Sequence, residues 1–82
     1  MTARSDIQQA ADDAGWNRIT REDGDRPRDQ FELDGVVVTV DYKIRGDVRK
    51  AWVNERFGVE RVINGTSKQR KVISYLRGGF IV

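Results

Sequence analysis

The sequence contains no cysteine and no histidine. Without cysteine, disulfides and thiolate metal sites are excluded. Without histidine, the commonest general base, metal ligand and near-neutral pH switch are missing. Hydrolytic triads and zinc chemistry therefore lose their main parts, and a carboxylate-only magnesium site is what stays open. Proline occurs once, at Pro27. The longest aliphatic run is Val36, Val37 and Val38, far short of the ~20 apolar residues of a membrane helix. No apolar run follows residues 1–5, so no signal peptide is expected and the reading is of a cytoplasmic protein. A length of 82 residues allows one domain, expected to span the whole chain around a small core.

What is abundant is charge, and it is unevenly placed. Residues 1–41 carry five basic side chains against ten acidic ones, whereas residues 42–82 carry ten basic against three acidic. The net charge of +2 conceals this split. Segregation of this kind fits a protein with one basic surface, and basic surfaces often meet nucleic acid. A solvated surface of mixed sign is the plainer alternative. The acidic residues Glu22, Asp23, Asp25 and Asp29 fall together but match no calcium-loop spacing. No enzyme site emerges, and no cofactor is implied.

The hydrophobic pattern predicts an α+β domain of order α-β-β-β-α. Residues 5–16 read as a helix, with Ser5 and Gln8 spaced as a capping box and Ile7, Ala10, Ala11 and Ala14 as its apolar face. Gly15 suits the left-handed position that ends a helix, and Trp16 then folds back over Ala11. Residues 16–21 predict a short strand with Trp16 or Ile19 inward. Residues 22–29 are charged, hold Gly24 and Pro27 and lack apolar side chains, so they read as a solvated loop. Asp34-Gly35 between alternating runs signals a two-residue hairpin turn. From Val36 the alternation is long, with Val38, Val40, Tyr42 and Ile44 expected in the core. Gly46-Asp47 suits a second tight turn. Residues 48–57 fit a returning strand, although Asp47 as cap, Gly58 as stop and Val48, Ala51 and Trp52 at helical spacing also allow a helix. Strand is favoured because both hairpins then stay short. Residues 59–63 add a last short strand. A second helix over 67–77 follows, with Thr66 and Gln69 as a capping box, Val72, Ile73 and Leu76 as its inward face, and Gly78-Gly79 at its end. The economical arrangement is an antiparallel sheet of three to five strands with both helices on one face.

A two-residue turn at Gly46-Asp47 fixes a register. It places Lys43 opposite Lys50, Arg45 opposite Val48, Asp41 opposite Trp52 and Val37 opposite Arg56, all on the face away from the helices. Paired lysines repel unless an anion or Asp41 offsets them. Cations bind phosphate and an indole stacks on a base, so this face has the composition of a sheet that binds nucleic acid. The alternative is a second small core in which Trp52 rests on lysine and arginine stems. The second helix offers another basic patch, with Lys68 and Lys71 on one line and Arg70 and Arg77 on another. Residues 65–68 put free amides and a lysine at its start, which favours phosphate. The candidate nucleic-acid-binding residues are thus Lys43, Arg45, Lys50, Trp52, Arg56, Lys68, Arg70 and Lys71.

The α-β-β-β-α order and the segment Gly65-Thr66-Ser67-Lys68-Gln69-Arg70-Lys71 resemble the end of a double-stranded-RNA-binding domain. That family grips phosphates with a lysine cluster at the start of its last helix, a role the resemblance gives to Lys68 and, more roughly, Lys71. Gln69 departs from the cluster, and the family's loop histidine has no counterpart. Phe31-x-Leu33-Asp34-Gly35-Val36 and Arg45-Gly46-Asp47-Val48 with Trp52-Val53 resemble the N-terminal oligomerisation domain of the actinobacterial nucleoid-silencer family. This second likeness implies pairing with such a protein; the spacing between its two blocks is shorter here. In size, composition and layout the chain resembles short accessory proteins of actinobacteria and their phages.

These features make a non-enzymatic binding module the expectation, with nucleic acid as its partner through the basic face. The alternatives are a module that binds and modulates a host protein and a structural homodimer. The C-terminal Phe80-Ile81-Val82 follows two glycines, and its side chains avoid water. Full burial is worth about 1.5–3 kcal/mol for each such side chain. The tail is therefore expected to dock on the protein or on a second copy. Truncation after Gly79 should lower the melting temperature or shift the oligomer equilibrium. A truncated chain that melts and elutes like the full one would show that the tail packs on neither.

Overall fold

In a computed structural model, the structure describes residues 2–23, 26–55 and 58–78, without the side chains of residues 20–23 and 26. The first helix, α1, runs Ala3–Asp13. Its cap is Thr2, whose hydroxyl accepts the Ser5 N–H at 3.1 Å. The expected Ser5–Gln8 capping box is not used, because the Gln8 amide donates instead to Asp29 at 3.0 Å. The C-terminus closes as read from the sequence. Gly15 takes φ +83°. The Trp16 N–H reaches the Ala11 carbonyl at 3.0 Å and the Gly15 N–H reaches that of Asp12 at 3.2 Å. This Schellman closure turns the Trp16 ring inward. Its Nε1 donates to the Leu76 carbonyl at 2.8 Å, tying the end of one helix to the end of the other.

Five strands follow as an antiparallel meander in the order β1-β2-β3-β4-β5. They are β1 Asn17–Asp23, β2 Arg26–Leu33, β3 Val36–Tyr42, β4 Val48–Asn54 and β5 Glu60–Val62. The second helix, α2, runs Lys68–Gly78. The α+β class, the antiparallel sheet and the terminal helices agree with the sequence reading, and residues 48–54 are strand. Asp34 and Gly35 both have positive φ, +52° and +84°, as a type I′ hairpin turn requires. Both helices pack on one sheet face, over a core of Ile7, Ala10, Ala11, Trp16, Phe31, Val38, Val40, Tyr42, Ala51, Val53, Ile63, Val72, Tyr75 and Leu76. Ile19 faces the other side, so Trp16 is the inward residue at the start of β1. Arg56 and the tail Phe80-Ile81-Val82 lie outside the described residues.

Further expectations are corrected. Residues 22–29 are not a solvated loop: both arms of the β1–β2 hairpin enter them, with Glu22 opposite Pro27 and Thr20 opposite Asp29. Backbone pairing needs no apolar side chains, and β2 extends past its last partner on β3 at Arg28. Pro27 therefore sits where the missing N–H costs no ladder bond to β3. Ile44 is not core but 83% exposed. The turn that holds it spans residues 43–47, closed by Lys43 N–H to Asp47 O at 2.7 Å and Gly46 N–H to Lys43 O at 2.8 Å. Finally, Thr66 and Gln69 form no capping box. The Lys71 N–H bonds the Ser67 carbonyl at 3.1 Å, and the Gln69 amide crosses to Asp6 of α1 at 3.1 Å. Ile73 is only partly buried, and Tyr75 joins the core in its place.

The longer turn has a physical cause. A two-residue turn at Gly46-Asp47 would have set Arg49 opposite Ile44 on the helix side, burying a guanidinium among apolar groups. Instead Asp41 pairs Lys50 and Tyr42 pairs Val48, leaving Arg49 as an extra residue in β4. This bulge keeps Val48 and Ala51 toward the core and turns Arg49 out to Asp41.

One polar group does lie under α1. Asp29 is fully buried and accepts Arg4 Nε at 3.2 Å, Arg4 Nη2 at 3.0 Å and the Gln8 amide. The Arg4 guanidinium lies 5.3 Å from the centre of the Tyr42 ring. Burial, reinforced by the Asp29 charge, raises the Tyr42 phenol well above its ordinary pKa and keeps it neutral. Removing one partner of a buried ion pair costs about 3–5 kcal/mol. A small domain has roughly 5 kcal/mol in all. Asp29→Ala is thus expected to leave at most about 2 kcal/mol of stability, so that its urea midpoint falls close to zero denaturant. A loss below about 1 kcal/mol would contradict the role given to this cluster.

Candidate nucleic-acid interface

The helices cover one face of the sheet, and the other face carries the candidate site. Along β2, β3 and β4 the residues pointing away from the core are Arg28 and Gln30, Thr39 and Asp41, and Lys50 and Trp52. Asp41 is the hub. Although it lies on the face without helices, it is only 3% exposed. Arg28 engages it through both Nε and Nη2, the latter at 3.3 Å, and Arg49 Nη2 reaches it at 3.4 Å. The Arg28 guanidinium lies over the Trp52 indole, 5.5 Å from the ring centre. One carboxylate thus orients two guanidiniums, and one of these stacks on the tryptophan.

Beside this group the sheet is notched. β5 pairs only with Trp52, Val53 and Asn54, so it flanks only the last part of β4. The chain then leaves through Ile63, whose N–H bonds the Ala51 carbonyl at 2.9 Å, and passes Asn64 and Gly65 into α2. The result is a cleft of about 580 Å³ in which Arg28, Arg49, Lys50 and Lys68 meet Trp52 and Val62. Its acidic residues are Asp41 and Glu60. A second, shallower cleft joins the β3–β4 turn, at Asp47 and Val48, to the start of α2. Lys68 lines both.

The expected register does not hold, so Lys43 does not lie beside Lys50, Arg45 has no strand partner, Trp52 stands opposite Thr39 and Val37 stands opposite Asn54. Lys50 faces Asp41, which relieves the expected lysine–lysine repulsion. Lys43 and Arg45 are exposed on the turn. Trp52 is half-buried in the cleft wall. Lys68 and Lys71 lie over the entry to α2, where their Nζ groups donate to the Gly65 carbonyl at 2.9 Å and the Asn64 carbonyl at 2.8 Å. An ammonium has three donors, so each retains hydrogens and its charge for a ligand. Arg70 is exposed farther along α2, away from the main cleft.

The sequence reading missed Arg28 and Arg49. The first fell in the supposed loop, and the second fell on the core side of the supposed register. The signal for Arg49 was that core placement itself, since a guanidinium with no partner there argues for a bulge. Comparison with protein-family models, curated proteins and solved structures finds no match to the chain. The likenesses noted in the sequence therefore rest on their quoted residues alone.

Asp41→Ala would release both guanidiniums from their shared acceptor. Hydrogen bonds to charged groups contribute about 1.5–3 kcal/mol, and both arginines are a third exposed, so a loss near the lower end is expected in urea titrations. The near-ultraviolet circular dichroism of Trp52 should change with it. A variant with unaltered stability and spectrum would remove Asp41 from its place as hub.

Proposed function

We propose that the protein is a non-enzymatic nucleic-acid-binding module that uses the open face of its sheet. The observation that carries this reading is the convergence of four cationic side chains, Arg28, Arg49, Lys50 and Lys68, on one cleft beside an indole. They come from β2, β4 and α2, far apart in sequence. Guanidinium and ammonium groups neutralise phosphates, and an aromatic ring accepts a base of any sequence. Lys43 and Arg45 on the adjoining turn extend the positive surface for a chain of phosphates. Among the described residues no group of three or more acidic side chains is placed to hold a metal ion, and no helix is long and apolar enough to cross a membrane.

A second reading has its own observation. β5 is an edge strand; Val62 within it is 54% exposed and Val59 just before it is 51% exposed. An edge with apolar side chains is a template for pairing with a protein strand, from a host protein or a second copy.

Lys50→Glu combined with Lys68→Glu tests the first reading. Both side chains lie at the surface, so the fold should persist, while gel-shift affinity for RNA or DNA at low salt should fall at least tenfold. If three cations contact phosphates of a single strand, log K should fall with log salt with a slope of about −2. Absence of binding to any nucleic acid at low salt would reject the reading, and sedimentation of the same sample as a dimer would favour the second.

A further inference from the structure

We propose that the cleft at the end of β5 takes one unpaired nucleotide, with its base against the Arg28–Trp52 pair and its phosphate at Arg49, Lys50 and Lys68. This inference rests on the nucleic-acid reading and narrows it to single strands, loops or frayed ends. Three features carry it. The first is shape. The site is a notch left where β5 stops short of the full length of β4, and its volume of about 580 Å³ falls in the range of pockets that enclose small ligands. A duplex groove is itself concave and is entered by a protruding helix or ribbon, so a recessed site does not fit it. The second is chemistry. The guanidinium of Arg28 and the indole of Trp52 are both planar π surfaces, and each stacks on bases only when those bases are unstacked from their neighbours. The wall nearby includes the apolar Val62. The third is an unsatisfied donor. Arg49 spends Nη2 on Asp41, while its Nε is buried and has no acceptor in the structure. With a small shift of the side chain, a phosphate oxygen in the cleft would supply one through a charge-assisted hydrogen bond.

The experiment uses the full chain at low salt and reads tryptophan emission. Trp16 is buried against Leu76 and Tyr75, so Trp52 is the fluorophore open to a ligand. The probes are an oligothymidylate of about a dozen nucleotides and a blunt duplex with the same number of phosphates. The single strand should quench the emission and bind at least tenfold more tightly than the duplex. Trp52→Leu should weaken the single strand about tenfold, the size of a stacking contribution, and leave duplex binding unchanged. Arg49→Lys keeps the charge, disturbs no core residue and should weaken the single strand severalfold. Equal affinity for both probes, or binding without quenching, would overturn the inference while leaving the broader reading intact. Absence of binding by both probes would overturn both.

Discussion

Where the Arg49 guanidinium goes decides the shape of the sheet face that carries the cleft. The strand that carries it must present Val48, Ala51 and Val53 to the helices. Strict alternation would send Arg49 to the same side, into a core whose buried Asp29 carboxylate is already taken by Arg4 and Gln8. A charge buried without a partner is far more costly than an interrupted ladder. The bulge between Val48 and Lys50 resolves the conflict, and the five-residue turn, the exposure of Ile44 and the register of Trp52 against Thr39 all follow from it. Without the bulge, Asp41 would lack its second arginine and the cleft would lose a wall.

Two carboxylates on neighbouring strands hold the two layers in place. Asp29 of β2 points to the helices and is closed by Arg4 and Gln8. Asp41 of β3 points the other way and is closed by Arg28 and Arg49. Each sits where the sheet alone would leave a thin cover. The first fixes α1 across β2, and the second builds a lid of guanidinium and indole over a face with no helix. A domain this small buries limited apolar area, so directional contacts of this kind select one arrangement of its layers. The Trp16–Leu76 bond acts likewise at the far end, where it joins the ends of both helices.

The apolar face of α1, the Asp34-Gly35 turn and the alternation of β3 were legible because each is local, set by spacing or by one dipeptide. The inward face of α2 was legible in Val72 and Leu76 for the same reason. What was not legible depends on partners distant in sequence. Asp29 looked like part of a solvated loop because its neighbours are charged and Pro27 is near, and nothing local shows that Arg4, twenty-five residues earlier, will reach it. Arg28 was lost with that loop. Gly46-Asp47 promised a tight turn on local grounds, and the constraint that defeated it was the far side of the strand. The candidate site was therefore half visible: Lys50, Trp52 and Lys68 were named as contributors and do converge, whereas the arginines that position Trp52 and Asp41 were not.

The charge split between the two halves of the chain acquires a direction in three dimensions. The two buried carboxylates of the sheet are both answered by arginine: Asp29 takes Arg4 of α1, and Asp41 takes Arg28 and Arg49. The exposed acids include Asp12, which Arg18 meets at 3.7 Å, and Asp13, near the end of α1. The cations left to solvent include Lys43, Arg45 and Lys50 on the turn and the open face, with Lys68 at the cleft mouth. The exposed cations thus gather about the notch, although the whole molecule is close to neutral. Such a field is felt within about 8 Å at physiological salt, which is the scale of a contact rather than of long-range steering. For the proposed strand, electrostatics would therefore set orientation at contact, and the indole, being blind to salt, would supply the part of the interaction that charge alone cannot.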